Sequence, residues 1–103
     1  MTRNSPPATT PDGHYVVIDG RRWRATDPSM PDDARARLRV HLMAARRAVA
    51  QARRARDPEA EGAARKRVQQ AKVALGERGT PWWEQSPAER EARQRDGLAA
   101  LDD

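Results

Sequence analysis

Along the chain, apolar residues first cluster within residues 14–25, as two β-rich runs on either side of Asp19-Gly20. An Asp-Gly pair favours a type I′ turn, because both central residues of that turn need a positive φ. The sequence therefore predicts a β-hairpin over residues 14–25 in which Val16 lies opposite Trp23. Alternation along the two strands also predicts an inner, core-facing side. Its members are Val16, Ile18 and Trp23.

The apolar residues of the next two segments repeat at helical spacing. In a helix predicted over about 31–56, with Ser29 as its N-cap, steps of four and three residues join Leu38, Leu42, Ala45, Val49 and Ala52. Asp57-Pro58 then opens a second helix over about 58–75, which ends at Gly76 with a left-handed cap. The connection is short, so we expect the two helices to pair in an antiparallel hairpin.

The segments on either side of this pattern are more polar. Residues 1–13 are rich in proline and threonine and are predicted to form a disordered tail. Residues 14–85 are predicted to form a single small domain that ends in a Trp-Trp turn over 76–85. Ser86 and Glu89 have the spacing of a capping box, which opens a loosely attached acidic helix or tail over 86–103.

These elements predict an α+β fold that is mostly α. The hairpin is expected to pack on one end of the antiparallel helix pair, with a weak C-terminal third helix. A core built largely from alanine buries little apolar area, so a protein partner or a homodimer is expected to complete it.

Composition narrows the environment. The chain has 103 residues and no cysteine, so it forms no disulfide and offers no thiol nucleophile. It contains no apolar run near the roughly 20 residues of a membrane span. We therefore expect a cytoplasmic protein without a membrane partner.

The charge is concentrated in the predicted helix pair. Residues 31–76 hold 12 basic and 5 acidic residues, a net +7, in a chain whose net charge is +5. Such a surface predicts binding to the phosphates of nucleic acid without sequence preference. The candidate residues on the helices and the hairpin are Arg46, Arg47, Arg53, Arg54, Arg56, Arg65, Lys66, Arg67, Arg22 and Arg24. The alternative is a solvated helix face, since all basic residues but Lys66 and Lys72 are arginine, as a GC-rich genome would produce.

The sequence contains no recognisable set of catalytic residues. His14 and His41 lie on different elements without metal-ligand spacing, and the sequence holds no phosphate-binding glycine loop. We expect no enzyme, no cofactor, no metal site and no small-molecule substrate. The second hypothesis is a protein-interaction or oligomerising module that docks through its tryptophan-rich end. Its candidate contacts are Trp82, Trp83, Val40 and Met43.

Three stretches carry a resemblance to a known family: Tyr15–Pro28, Met43–Val49 and Ala71–Gly79 with Trp82-Trp83. Together they resemble a family of small uncharacterised bacterial proteins, some of which carry the label "biopolymer transporter Tol". The resemblance spans about residues 14–85. It implies a small bacterial, cytoplasmic domain, and it implies no activity and no functional residues to transfer.

Overall fold

The computed structural model of the protein describes residues 8–102, and its N-terminal part is an antiparallel sheet of three strands in the order β1-β2-β3. Asp19 and Gly20 both have positive φ, 52° and 77°, as the type I′ turn requires. The predicted register is confirmed, with Val16 opposite Trp23. The strands are β1 (Ala8–Thr9), β2 (Tyr15–Ile18) and β3 (Arg21–Arg24).

The strand β1 corrects the predicted tail. Residues 1–7 lie outside the described part of the chain, but Ala8 and Thr9 pair with the free edge of β2. A tight turn returns the chain to β2, and the Thr10 hydroxyl donates a hydrogen bond of 2.7 Å to Asp12 within it. The backbone N–H of Tyr15 in turn donates to Thr10 Oγ1 at 3.1 Å. The composition of residues 1–13 did not predict this strand, because the strand depends on backbone pairing with β2 rather than on its own residue types.

The two long helices form the predicted hairpin, as α1 (Asp32–Arg54) and α2 (Pro58–Ala74). The predicted cap of α2 is confirmed, since Asp57 accepts a hydrogen bond of 3.0 Å from the N–H of Ala60. The cap of α1 is corrected to Pro31, because the hydroxyl of Ser29 donates to the Asp27 carboxylate instead. Between the helices Arg56 takes the left-handed conformation, with a φ of 54°.

The core lies between α1, α2 and a third helix, α3 (Pro87–Asp102). Helix α1 supplies Leu38 and Leu42 from its predicted apolar repeat, and α2 with its C-cap supplies three more members. Alanines let the helix backbones approach closely, which suits the small core volume. The buried cluster is Met30, Leu38, Leu42, Ala71, Ala74, Leu75 and Leu101.

Helix α3 is part of this core rather than loosely attached, which corrects the prediction for residues 86–103. Leu101 is only 2% exposed, and a Cβ at Gly97 would overlap that of Ala74 on α2. The end of the helix is held by Asp102, which contacts His41 at 2.7 Å and also the guanidinium of Arg37. The weak apolar pattern of α3 did not predict this packing because it depends on a glycine, which adds nothing to a hydrophobic count.

The start of α3 follows the sequence closely. Ser86 and Glu89 form the predicted capping box, with the Ser86 N–H donating to Glu89 at 2.7 Å and the Glu89 N–H donating to the Ser86 hydroxyl at 3.1 Å. Between α2 and α3 runs a short 3₁₀ helix, Trp82–Glu84. Within residues 8–102, none of the helices combines the length and the apolar character needed to cross a membrane.

Candidate functional site

A buried carboxylate fixes the sheet to the helices. Asp27 follows β3, is 0% exposed, and receives the guanidinium of Arg93 from α3 at 2.5 Å. The N–H and hydroxyl of Ser29 donate to its other oxygen at 2.9 and 2.7 Å. Its own N–H donates to the carbonyl of Leu75 at 3.0 Å, so one residue ties the linker after β3 to α2 and α3. The sequence prediction missed this centre, because Arg93, the counter-ion of Asp27, lies 66 positions further along the chain.

The charge of Asp27 is maintained despite its burial. Burial by itself raises the pKa of a carboxyl group, but the hydrogen bonds from Arg93 and Ser29 outweigh it and hold the pKa of Asp27 below its ordinary value. Arg93 is itself only 7% exposed and also donates to the carbonyl of Ala74 at 3.2 Å. The ion pair therefore forms a buried joint between the linker and α3.

The two adjacent tryptophans hold the sheet by the face opposite to the one predicted. The indole N–H of the buried Trp82 donates to the carbonyl of Ala25 at 2.9 Å. Trp83 stacks on His14 with ring centres 3.8 Å apart and meets Tyr15 edge-on at 5.6 Å. These contacts anchor the Tyr15 face, so the predicted inner face is wrong as a core surface. It is left as the wall of an open groove.

This opening, which we call the Trp23 groove, has a volume of about 420 Å³. Its sheet wall is formed by Val16, Ile18, Trp23 and Arg24, and Ile18 and Trp23 remain 44% and 41% exposed. Its helical wall carries mainly cations. The charged residues there are Arg39, Arg46, Lys72 and Glu77.

The cations of the groove outnumber its carboxylate. The pKa of Lys72 is held below its ordinary value, first by burial and then by the positive charges of Arg78 and Arg46, with Glu77 opposing the shift. Glu77 is itself occupied, since its carboxylate accepts a hydrogen bond of 2.7 Å from the Thr26 hydroxyl. An anion entering the groove would thus relieve repulsion between neighbouring cations.

A second groove continues along the helix pair. Its volume is about 400 Å³ and it shares Arg46 with the Trp23 groove. Arg65 enters it from α2, and Arg78 enters it from the turn after α2, where it donates to Gln69 at 2.7 Å. The two grooves therefore present one continuous row of cations, which we call the basic stripe. Its members are Arg39, Arg46, Arg65, Lys72 and Arg78.

The spacing of these residues explains the stripe. Arg39 and Arg46 are seven residues apart on α1, and Arg53 follows after seven more. Arg65 and Lys72 have the same separation on α2. Residues seven apart lie about two turns from each other on the same side of a helix. This repeat was the signal in the sequence that could have found Arg39 and Lys72, which were not among the predicted binding residues.

The predicted nucleic-acid contacts divide into three groups. Arg46 and Arg65 lie in the stripe, and Arg53 is next to it, where Glu61 approaches it at 3.4 Å. Others have structural contacts, since Arg24, which also lines the Trp23 groove, and Arg67 donate to backbone carbonyls at 2.6 and 2.8 Å. Arg22 lies over the ring of Tyr15 at 4.4 Å. The exposed residues Arg47, Arg54, Arg56 and Lys66 line neither groove.

The predicted protein contacts are also separated. Trp82 is 7% exposed and belongs to the interior, and Trp83 is half-buried against His14. Val40 and Met43 remain exposed on α1, at 66% and 42%. The two tryptophans therefore do not form a docking surface together with Val40 and Met43, because their rings pack against the sheet.

Comparison with known proteins adds no further assignment to this geometry. No family model matches the chain, and neither a curated protein nor a solved structure matches it significantly.

Proposed function

We propose that the protein binds nucleic acid without catalysing a reaction, by holding backbone phosphates along the basic stripe. The observation that carries the proposal is the continuity of five cations from α1, α2 and the following turn across two adjoining grooves. Phosphate contacts need positive charge and reach rather than a particular base, so the proposed binding is independent of sequence. A chain without cysteine suits the cytoplasm, where we place this function.

The stripe has the features that distinguish a ligand surface from a solvated helix face. Surface cations are ordinarily interspersed with acids, and at the α2 side of the stripe Arg65 is itself paired with Glu61 at 2.9 Å. In the Trp23 groove, by contrast, Arg39, Arg46 and Lys72 share a single carboxylate, Glu77, which accepts from Thr26 and lies 3.8 Å from the guanidinium of Arg39. A phosphate chain would supply the missing negative charge.

Salt dependence tests the proposal directly. If the five cations of the stripe each neutralise one phosphate, log K should fall with log salt with a slope of about −4.5 for duplex DNA and about −3.5 for a single strand. The double substitution Arg46→Gln with Lys72→Gln should reduce the magnitude of that slope by about 1.5 to 2. Fluorescence anisotropy of a labelled oligonucleotide measures both quantities.

The chain offers a matched control for this experiment. Arg47→Gln with Lys66→Gln removes one arginine and one lysine from the same two helices, but both residues lie outside the stripe. This control should bind nearly as the wild type does. The proposal fails if the wild type shows no salt-dependent binding at low ionic strength, or if the two double variants bind equally.

A protein partner remains the second candidate function, and the exposure of Val40 and Met43 favours it. They are three residues apart on α1 and so share one side of the helix. Apolar docking there would respond little to salt, in contrast to phosphate binding. Sedimentation at micromolar concentration determines whether a second copy of the chain occupies this surface.

A further inference from the structure

Trp23 is the exposed aromatic side chain of the Trp23 groove. The residue is 41% exposed, whereas Trp82 is 7% exposed and Trp83 is half-buried. The sheet is anchored through its opposite face, by Trp82 and Trp83, so no packing contact of the core requires an indole at position 23. A large aromatic left at the mouth of a groove is a typical site for stacking a flat ligand.

The cations around this indole suit a nucleotide. The guanidinium of Arg21 lies 4.4 Å from the ring centre of Trp23, and Lys72 Nζ lies 5.9 Å from it. A nucleotide carries its phosphate a few ångströms from the plane of its base, so a base stacked on the indole leaves its phosphate within reach of Lys72. The volume of about 420 Å³ is in the range of sites that hold a small organic ligand.

We propose that the Trp23 groove binds a nucleotide of single-stranded nucleic acid, with the base stacked on Trp23 and the adjoining phosphates on Lys72 and Arg46. This inference rests on the nucleic-acid binding proposed above and names its ligand class. In a duplex the bases stack on one another and their faces are inaccessible, whereas each base of a single strand can stack on an aromatic side chain. The indole would therefore select single strands over duplexes.

The test compares three variants at position 23 for binding to a labelled single-stranded oligonucleotide of about 12 nucleotides, as DNA and as RNA, and to the DNA duplex of the same length. Trp23→Leu keeps an apolar side chain but removes the stacking surface, and Trp23→Ala removes both. We expect each to weaken single-strand binding by about 5- to 150-fold while leaving duplex binding unchanged. Trp23→Phe should restore most of the lost affinity.

Tryptophan fluorescence gives an independent readout. Single-stranded oligonucleotide should quench the wild type more strongly than Trp23→Phe, and the difference reports contact with position 23 alone. Circular dichroism of each variant checks the fold, and Trp23→Phe against Trp23→Leu decides the matter should Trp23→Ala unfold. Equal affinities of Trp23→Leu, Trp23→Phe and wild type for single strands would overturn the stacking inference, as would a preference for duplex. Either result leaves phosphate binding intact, whereas the absence of salt-dependent binding to any of the oligonucleotides would overturn both proposals.

Discussion

Replacing Asp27 by asparagine removes one charge from a fully buried side chain while keeping its size. The substitution leaves the guanidinium of Arg93, itself 7% exposed, without its counter-ion. Removing one partner of a buried ion pair costs about 3–5 kcal/mol, because the remaining charge has lost its compensation and stays out of water. Since small domains are stable by only about 5–15 kcal/mol in total, Asp27→Asn should remove a large share of the free energy of unfolding.

Urea denaturation followed by tryptophan fluorescence measures this loss, because Trp82 lies in the interior near the joint. The matched control is Asp96→Asn on α3, whose carboxylate lies 3.7 Å from Arg95 with both side chains mostly exposed. An exposed pair contributes about 0–1 kcal/mol, so the control should unfold almost as the wild type does. Equal midpoints for Asp27→Asn and Asp96→Asn would refute the assignment of Asp27 as the joint.

The same pair predicts a dependence on pH. The pKa of Asp27 is lower in the folded protein than its ordinary value of 3.8, so the unfolded chain binds the proton more readily. The contribution of Asp27 is therefore complete above that ordinary value and is lost as the pH falls through the lower pKa of the folded state. The difference in stability between wild type and Asp27→Asn should be constant near neutral pH and shrink in strong acid. A difference that grows in acid would contradict this sign.

Three further substitutions test the packing and the turn by urea denaturation. Gly97→Ala should destabilise the protein by about 1–3 kcal/mol because its Cβ would overlap Ala74, whereas Gly62→Ala, which has open space around it, should stabilise it by about 1 kcal/mol. The same sign for both would disprove the close contact of α2 and α3. Arg56→Gly should stabilise the protein by about 0.5–1 kcal/mol, since a φ of 54° strains any residue with a Cβ, and a lower midpoint would count against that strain.

Local interactions account for what the sequence predicted correctly. The Asp19-Gly20 turn determines the register of β2 and β3, because the turn type leaves one way to pair the flanking residues. The helical repeat predicts the apolar side of α1, and the short connection between Arg54 and Pro58 predicts that α1 and α2 pair antiparallel. The capping box at Ser86 involves residues only three apart. In the turn and the capping box the partners lie close together in the chain, so the residue types alone were sufficient to predict them.

Contacts between distant segments account for what was missed. The inner face of the sheet was assigned from alternation alone, but Trp82 and Trp83 lie far along the chain and pack on the other side. The packing of α3 depends on Gly97 meeting Ala74, which no local pattern reveals.

The binding surface was predicted in part for a different reason. The density of arginine predicted binding residues near the connection between α1 and α2, but exposed residues there, such as Arg54 and Arg56, line neither groove. The seven-residue repeat that joins Arg39 to Arg46 was visible in the sequence, but it has meaning only beside a partner helix that carries the same repeat.

The joint between Asp27 and Arg93 also has a consequence for the order of events during synthesis. The two residues are 66 positions apart, so the ribosome releases Asp27 long before its counter-ion exists. Until then the sheet and the helix pair would have to bury a carboxylate that has the hydrogen bonds of Ser29 but no counter-ion, and Leu101 would be missing from the core. The nascent chain should therefore remain open and sensitive to proteases, and it should close only when α3 has left the exit tunnel.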